Sequence, residues 1–266
     1  MVEKKIQVGK YSPIPNKDSY HLNFKWSSPF KLGKRKDESL SKTENRRKFM
    51  ENPIENYWTT RLVELKEALT ENNFEVHIAQ TPDEAKSIVL EKIIPEISPK
   101  SVSWGGSITF VATGLYDVLK SADDLEVLDT YDKNLSPEES LERRRRSLLA
   151  DLFITGTNAV TESGQLVNLD MIGNRVGAVT FGPKHVIILV GRNKIVPDLE
   201  SAMFRIQNYA APVNTMRLDK KTPCANTSFC ADCKSPDRIC NTWTITEKSF
   251  PKKRVKIVLI NKDLGF

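Results

Sequence analysis

The segment SVSWGGS, residues 101–107, is the stretch from which the fold of this chain can be predicted. Its first four residues are typical of a short buried strand, and the two glycines and the serine after them are typical of a tight turn. The apolar residues that follow predict a helix through about Lys120. A strand that turns directly into a helix is the repeating unit of α/β proteins.

The residues on both sides of this segment repeat the alternation of strands and helices. An amphipathic helix is predicted from Ile54 to Leu69, others begin with capping boxes at Thr81 and Ser136, and one more runs from 197 to about 209. Strands are predicted at residues 74–78, 101–104, 125–128, 152–155, 159–162, 165–169, 178–181, 186–190, 242–246 and 255–260. We therefore expect an α/β domain with a layered, mostly parallel sheet.

The basic excess of the chain is confined to its N-terminal part. The net charge is +6, but residues 1–50 hold 13 Lys and Arg against 5 Asp and Glu, whereas residues 51–266 hold 27 against 29. This predicts a basic, irregular N-terminal arm over residues 1–50 and a nearly neutral domain over residues 51–266. A nucleic-acid-binding surface is not expected on that domain.

Apolar runs in the chain are short. The first twenty residues lack the apolar core of a signal peptide, and the longest runs, 186–190 and 255–260, have the length of strands. We expect no membrane span and a cytoplasmic location. In that compartment cysteines are more often metal ligands or free thiols than disulfides.

All four cysteines fall within a loop of seventeen residues, 224–240. The loop contains Cys224, Cys230, Cys233 and Cys240, in the spacing C-x5-C-x2-C-x6-C. Two thiolates separated by two residues can bind the same metal ion, and four suit a tetrahedral zinc or an iron–sulfur cluster. The spacing predicts a metal site, with redox-active or disulfide-bonded cysteines and inert thiols as the alternatives.

The glycine turn is a candidate anion site. Gly105 and Gly106 allow a ligand to approach the backbone closely, and Ser107 and Thr109 offer hydroxyl groups. The alternative is an ordinary strand–helix turn in which Ser107 caps the helix. The turn has neither the lysine of a phosphate-binding loop nor a full dinucleotide fingerprint.

Polar residues after the later strands extend this candidate site. Thr157 and Asn158 follow a strand, where α/β sheets place their ligands, and Glu162 is the candidate base or nucleophile. The alternative for Glu162 is a solvated position in a hairpin turn.

Basic residues of two further turns complete the candidate site. Asn174 and Arg175 can clamp an anion, and Lys194 adds a second charge, unless these are exposed turn residues. Arg143 to Arg146 point around a whole helix and are interpreted as a solvated face.

Five segments in this order resemble the LUD-domain (lactate-utilisation, LutC-like) family. They are residues 102–107, 156–161, 173–176, 182–184 and 191–196, and the resemblance spans residues 51–266. It implies a fold like that of ribose-5-phosphate isomerase, glucosamine-6-phosphate deaminase and the CoA-transferases. In the CoA-transferases a carboxylate serves as nucleophile, and the resemblance implies that Glu162 could have this role. One departure is Ala112, at a position where relatives often have a glutamate.

The resemblance also implies a role in the oxidation of lactate or a related organic acid, beside iron–sulfur partner subunits. Our first hypothesis is an accessory or electron-transfer subunit that binds a small anionic metabolite at the glycine loop and an iron–sulfur cluster on the cysteine loop. The second is a transferase or isomerase-like enzyme that uses Glu162 and holds structural zinc. The third is a ligand-sensing domain without catalysis.

Overall fold

The computed structural model describes residues 52–266, and the arm predicted over residues 1–50 lies outside them. Its strands are β1 Glu75–Ala79, β2 Ser101–Trp104, β3 Glu126–Leu128, β4 Leu152–Gly156, β5 Ala159–Thr161, β6 Leu166–Asp170, β7 His185–Gly191, β8 Ile195–Val196, β9 Thr242–Thr246 and β10 Val255–Ile260. Its helices are α1 Pro53–Glu71, α2 Pro82–Ser87, α3 Ile94–Ile97, α4 Ile108–Ala112, α5 Leu115–Lys120, α6 Pro137–Arg146, α7 Asn174–Thr180, α8 Leu199–Arg205, α9 Ala211–Arg217 and α10 Pro223–Thr227.

Six strands form a parallel central sheet in the order β1-β10-β7-β4-β2-β3. Its middle strands are buried on both faces, because successive residues point to opposite sides and nearly all of them are apolar. In β7, Ile188 packs with the Leu residues of α1 on one face, whereas Ile187 packs with Val89 and Phe110 on the other. The expected α/β architecture with a mostly parallel sheet is confirmed.

A second, four-stranded sheet has the order β8-β5-β6-β9 and is mostly antiparallel. One of its faces adds Val160 and Leu166 to the core under α1. The other face packs Val167 and Leu169 against α8 and the segment that follows it. This sheet therefore forms the layer between α1 and the helices that lead to the cysteine loop.

Of the two predicted capping boxes, the one at Ser136 forms in full and the one at Thr81 forms only in part. Ser136 Oγ accepts a hydrogen bond from the Glu139 backbone N–H, and the Glu139 carboxylate accepts one from the Ser136 N–H. At α2, Thr81 Oγ1 accepts from the Glu84 N–H, but the Glu84 carboxylate accepts from Gln80 instead of Thr81. These bonds satisfy N–H groups that the first helical turn leaves free.

Three predictions of secondary structure differ from the observed elements. Residues 178–181, predicted as a strand, belong largely to α7, because the helix already begins at Asn174. The helix expected to run to Lys120 is broken at Gly114, whose φ of 71° lies in the left-handed region that glycine adopts readily.

The helix predicted to stop near Tyr209 continues to Arg217. A π-helical segment, Ile206–Ala210, joins α8 to α9 and ends two residues before Pro212. The same arrangement joins α2 to α3, where the π-helical Ile88–Ile93 ends two residues before Pro95. The wider turn lets the helix pass a proline, which cannot donate a backbone hydrogen bond.

None of the helices within residues 52–266 combines the length and the apolar composition needed to cross a bilayer.

Candidate functional site

A cavity of about 850 Å³ opens at the carboxyl ends of β2 and β4, and we call it the central cavity. Parallel α/β sheets commonly place their ligands at this end. The central cavity brings together most of the residues predicted for the anion site, namely Gly106, Ser107, Thr157, Asn158, Asn174, Arg175 and Lys194. Its volume falls within the range of sites for drug-sized ligands.

The glycine turn forms one wall of the central cavity. A Cβ on Gly105 would lie 3.0 Å from Arg175 Cγ and 3.1 Å from the Phe153 ring, whereas a Cβ on Gly106 would meet nothing within 4 Å. Gly105 is therefore required for packing, and Gly106 leaves space on the side of the cavity. Only the second glycine fits the predicted close approach of a ligand.

Internal hydrogen bonds satisfy much of this turn. Ser107 Oγ accepts from the Phe110 N–H at 3.1 Å, which makes it the cap of α4, and the Ser107 N–H donates to Tyr131 Oη at 3.1 Å. Tyr131 in turn donates to the Gly105 carbonyl at 2.8 Å. Burial raises the pKa of Tyr131, so the phenol remains a donor at neutral pH. The alternative role of Ser107, as an ordinary cap, accounts for these contacts.

Arg175 is almost fully buried, and its guanidinium is occupied by neighbouring groups. It donates to Asn168 Oδ1 at 2.6 Å, to Asn158 Oδ1 at 2.8 Å and to the Leu169 carbonyl at 3.0 Å, and its Nε lies 3.4 Å from Asp170. Such a network fixes the ends of β4 and β6 relative to α7. Arg175 thus contributes charge and rigidity to the central cavity, rather than a free bidentate clamp.

Thr157 and Asn158 belong to the same network. The Thr157 hydroxyl lies 3.0 Å from the Ala159 carbonyl and 3.1 Å from Asn168 Oδ1, so it stabilises the turn after β4. Asn158 Oδ1 accepts from the Leu169 N–H as well as from Arg175. No described residue accepts a hydrogen bond from the Asn158 amide nitrogen, which remains available as a donor at the cavity wall.

Lys194 lies in the turn after β7 and is only 4% exposed. Its Nζ donates to Thr109 Oγ1 at 2.9 Å, and no ion pair with an acidic residue of the described chain accompanies that bond. Burial, together with Arg205 and Arg175, lowers the pKa of Lys194 to about 7. The ammonium and the neutral amine therefore coexist near neutral pH.

The lining of the central cavity is strongly cationic. Five basic side chains against one acid, Asp132, line it: Lys133, Arg144, Arg175, Lys194 and Arg217. Arg144 and Arg217 donate to neutral oxygens of Ser140 and Asn214, four and three residues away in their own helices. Among the described residues neither forms a salt bridge with an acid, so both remain able to bind an anion.

Sequence reasoning missed Lys133, Arg144, Arg217 and Tyr131. Arg144 is the one member of the arginine run that lines the cavity, since Arg145 pairs with Glu142 and Arg146 with Glu126. Arg144 and Ser140 are one helical turn apart in the sequence, and this spacing could have predicted that they lie on the same face of the helix. Nothing local in the sequence places Arg217 beside it.

Glu162, the predicted base or nucleophile, lies away from the central cavity. It follows β5 at the surface, where its carboxylate pairs with Arg61 of α1. Its side chain is 46% exposed, and it does not line the cavity. Ala112, where relatives often have a glutamate, is an exposed residue at the end of α4.

The four cysteines line a second, much smaller cavity of about 30 Å³, which we call the cysteine cavity. All four are free thiols; Cys224 is buried in α10, Cys230 is exposed, and Cys233 and Cys240 lie between these extremes. Within residues 52–266, no three potential ligands stand close enough together to hold a metal ion. The thiols thus share a cavity without forming a closed coordination site.

Polar groups around the cysteine cavity hold the loop in place. The hydroxyls of Thr222 and Thr215 lie 3.3 Å and 3.5 Å from Cys224 Sγ. Arg238 donates to the carbonyls of Cys233 and Cys240 and thereby ties the two halves of the loop together. Burial, and then the charges of the other three cysteines, raise the pKa of Cys240 to about 11.

Comparison with known proteins places the chain in a family. The family described as the LUD domain matches residues 62–260. No curated protein matches the sequence.

Three solved structures are similar to the chain at low identity. A DUF162 family protein from Deinococcus radiodurans is 14% identical over 76% of this chain and 98% of that one, with a TM-score of 0.44. Ribose 5-phosphate isomerase from Plasmodium falciparum is 19% identical over 43% and 54% of the two chains, with a TM-score of 0.26. The tetrameric eIF2B-beta2-delta2 complex from C. thermophilum is 16% identical over 81% and 61%, with a TM-score of 0.34. Since the family match spans most of the length, this chain belongs to the LUD domain family.

Proposed function

We propose that this domain binds an organic anion in the central cavity and acts as an accessory or electron-transfer subunit in the oxidation of lactate or a related organic acid. The observation that supports the anion site is the charge of its lining, five basic side chains against one acid. Of these five, only Arg175 has an acidic partner among the described residues, and unpaired cations in a concave site favour an anionic ligand. The membership of the LUD domain family supports the lactate-utilisation context.

The size and lining of the central cavity narrow the ligand class. Lactate has six non-hydrogen atoms and would fill only a small part of about 850 Å³. Ile108, Val111, Ile172 and Leu218 add apolar surface beside the basic groups. An organic acid with an apolar body, or an acid bound beside a second molecule, fits the cavity better than a lone small anion.

Binding of lactate, pyruvate and longer 2-hydroxy and 2-oxo acids, measured by isothermal titration calorimetry, tests the anion site. We expect Arg144→Gln and Arg217→Gln each to weaken binding about three- to tenfold, on the order of 1 kcal/mol per lost charge contact. Arg145→Gln is the matched control, because Arg145 lies on the same helix but pairs with Glu142 at the surface. Equal affinities of all three variants, or no binding of any acid, would contradict the proposal.

The cysteine loop is proposed to hold the metal centre of this function. Its chemistry fits: four thiols line one cavity, two hydroxyls lie beside the most buried sulfur, and the nearby Asp232 is paired with Arg238. The neighbouring thiols raise the pKa of Cys240. A bound cation would lower it instead, because positive charge stabilises thiolates. Binding would require the exposed Cys230 to move inward. An iron–sulfur cluster supplies one-electron transfer when bound.

One observation favours the metal of a second candidate, an enzyme of the transferase or isomerase kind with structural zinc; it concerns the zinc alone, since Glu162 lies outside the central cavity. A cavity of about 30 Å³ has room for one or two water-sized groups, which suits a single ion better than a four-iron cluster. Zinc would stabilise the loop without redox chemistry.

Anaerobic purification with metal and sulfide analysis separates the two candidates. Iron with sulfide and a broad absorption band near about 400 nm supports the electron-transfer role. One zinc per colourless chain supports the second candidate. Four thiols that react fully with a thiol reagent, in metal-free protein that binds neither metal on reconstitution, would overturn both metal proposals. Cys233→Ser, which changes one atom of the C-x2-C pair, should abolish metal retention in either case.

A further inference from the structure

The central cavity contains a lysine whose surroundings differ from those of an ordinary anion-binding residue. Lys194 is buried but is one of the residues that line the cavity, and the hydrogen-bond partner of its Nζ is a neutral hydroxyl, Thr109 Oγ1, at 2.9 Å. Thr109 itself donates to the Leu264 carbonyl at 3.2 Å. When Lys194 is a neutral amine that donates a hydrogen bond to Thr109 Oγ1, its lone pair points away from that hydroxyl.

The charges that face Lys194 disfavour its protonation. Arg205 donates to the carbonyls of Asn193 and Asn158, and the charge of Arg175 is only partly balanced by Asp170. Both guanidinium groups act on Lys194 in the same direction as burial, and its pKa falls to about 7. A buried lysine beside other cations is the arrangement in which an amine becomes nucleophilic at neutral pH.

The backbone leaves room at this amine. Gly265 lies against it, and a Cβ built there would stand 3.3 Å from Lys194 Nζ and 2.8 Å from Thr109 Oγ1. Its φ of 66° also suits glycine. Any larger residue would crowd the space that an adduct on the amine requires.

We propose that Lys194 is an amine nucleophile that condenses with the carbonyl group of a 2-oxo acid bound in the central cavity. The inference rests on the proposed anion site, because Arg144 and Arg217 would hold the carboxylate while the carbonyl carbon faces Lys194.

The condensation needs no oxidant or further reactant. The lone pair of the neutral amine forms the C–N bond, and the carbonyl oxygen takes up the protons that the nitrogen gives up. Water then leaves and an imine remains, which is protonated to an iminium ion. Hydrolysis by the reverse route restores the amine and the oxo acid. The iminium is an electron sink that activates the carbon beside it.

Trapping with borohydride tests this proposal on the full chain. Protein incubated with pyruvate at pH 7.5 (about half a unit above the pKa of Lys194, where the amine is mostly neutral) is reduced and then mapped by mass spectrometry. We expect one reduced pyruvyl group per chain, on the peptide that contains Lys194. Lactate, which has a hydroxyl group in place of the ketone of pyruvate, should compete with pyruvate but leave no adduct.

Two comparisons make the result specific. Lys194→Arg keeps a cation but should lose more than nine-tenths of the trapped adduct, whereas Lys92→Gln, on the surface far from the cavity, should keep it. Calorimetry on the same samples separates the two claims. Pyruvate that binds without an adduct on Lys194 overturns this inference and leaves the anion site standing. Absence of binding by any acid overturns both, and an adduct spread over surface lysines overturns the role of Lys194.

Discussion

Lys256 is the second residue of β10, at the amino end of the central sheet, whereas Lys194 follows β7 at the carboxyl end. Both are almost fully buried, but Lys256 Nζ lies 2.6 Å from the Glu75 carboxylate, and Lys194 has only a hydroxyl partner. Burial raises the pKa of Glu75, but hydrogen bonds from Lys256 and His77 outweigh burial and leave that pKa lowered. Of these two buried lysines, the one at the amino end is therefore neutralised by a carboxylate, and the one at the carboxyl end is not.

This difference shows which buried lysine lowers the stability of the fold. A buried ion pair neutralises the charges that folding brings inside, whereas an unpaired ammonium keeps its desolvation cost until a ligand or a change in pH relieves it. The uncompensated lysine lies in the central cavity, and the compensated one lies away from it. The predictions below test this contrast.

Lys256→Met should have the largest effect, on stability. It leaves Glu75 buried without its lysine, and we expect the free energy of unfolding to fall by about 3 kcal/mol. The double variant Lys256→Met with Glu75→Leu should recover most of that loss, because it removes both charges. Urea denaturation measures both effects, and a single variant as stable as the double would show that the amino-end pair is not needed.

Lys194→Met should act in the opposite direction, with a pH dependence. In the wild type the folded pKa of about 7 lies below the unfolded value of 10.5, so the unfolded chain holds more protons between these pH values. Wild-type stability relative to Lys194→Met should therefore rise with pH above 7, by about 1 kcal/mol per pH unit. Below pH 7 the variant should be the more stable protein. Denaturation curves at pH 6, 7, 8 and 9 provide the test, and a constant difference would contradict the lowered pKa.

Proton uptake on ligand binding should be the next largest effect. An anion anywhere in the central cavity favours the charged form of Lys194, so above pH 7 lactate binding should be accompanied by uptake of up to one proton. Its affinity should fall by at most about tenfold per pH unit. Calorimetry in buffers of different ionisation enthalpy measures the uptake, which Lys194→Met should abolish.

The two glycines of the turn should give the smallest effect. Gly105→Ala forces Arg175 and Phe153 to move and should lower the free energy of unfolding by about 1 kcal/mol. Gly106→Ala meets open space and should stay within about 0.5 kcal/mol of the wild type, while it narrows the central cavity. Equal losses in both variants would show that the turn does not distinguish a packing face from a ligand face.

Local patterns in the sequence were sufficient to predict the layered sheet. β7 and β10 are apolar at every position but one or two, which is typical of strands covered on both faces, and the capping residues Thr81 and Ser136 mark real helix starts. The strand predicted at residues 178–181 is wrong, because a run of four mostly apolar residues suits a helix as well as a strand. The helix predicted to end near residue 209 continues instead through a π-helical segment before Pro212.

The candidate site could be predicted only where a polar or charged residue directly follows a predicted strand. Lys194 and Asn158 follow strands, so their place at the carboxyl edge could be predicted from order alone. Arg217 reaches the same cavity only because the helix continues past Pro212. That continuation depends on the tertiary structure and not on the local sequence. The sequence also does not show that the network around Asp170 and Asn168 occupies Arg175, whose role therefore differs from the predicted clamp.

Leu169 of β6 lines both the central cavity and the cysteine cavity. One aliphatic side chain thus lies between the two cavities, and a ligand that moves it from one cavity changes the volume of the other. For an acid and a metal bound as proposed, thermodynamic reciprocity would require that the acid in the central cavity alter metal affinity by the same factor by which the metal alters acid affinity. Enlarging or trimming this side chain, as in Leu169→Ala, would tune that mutual dependence without touching any polar group.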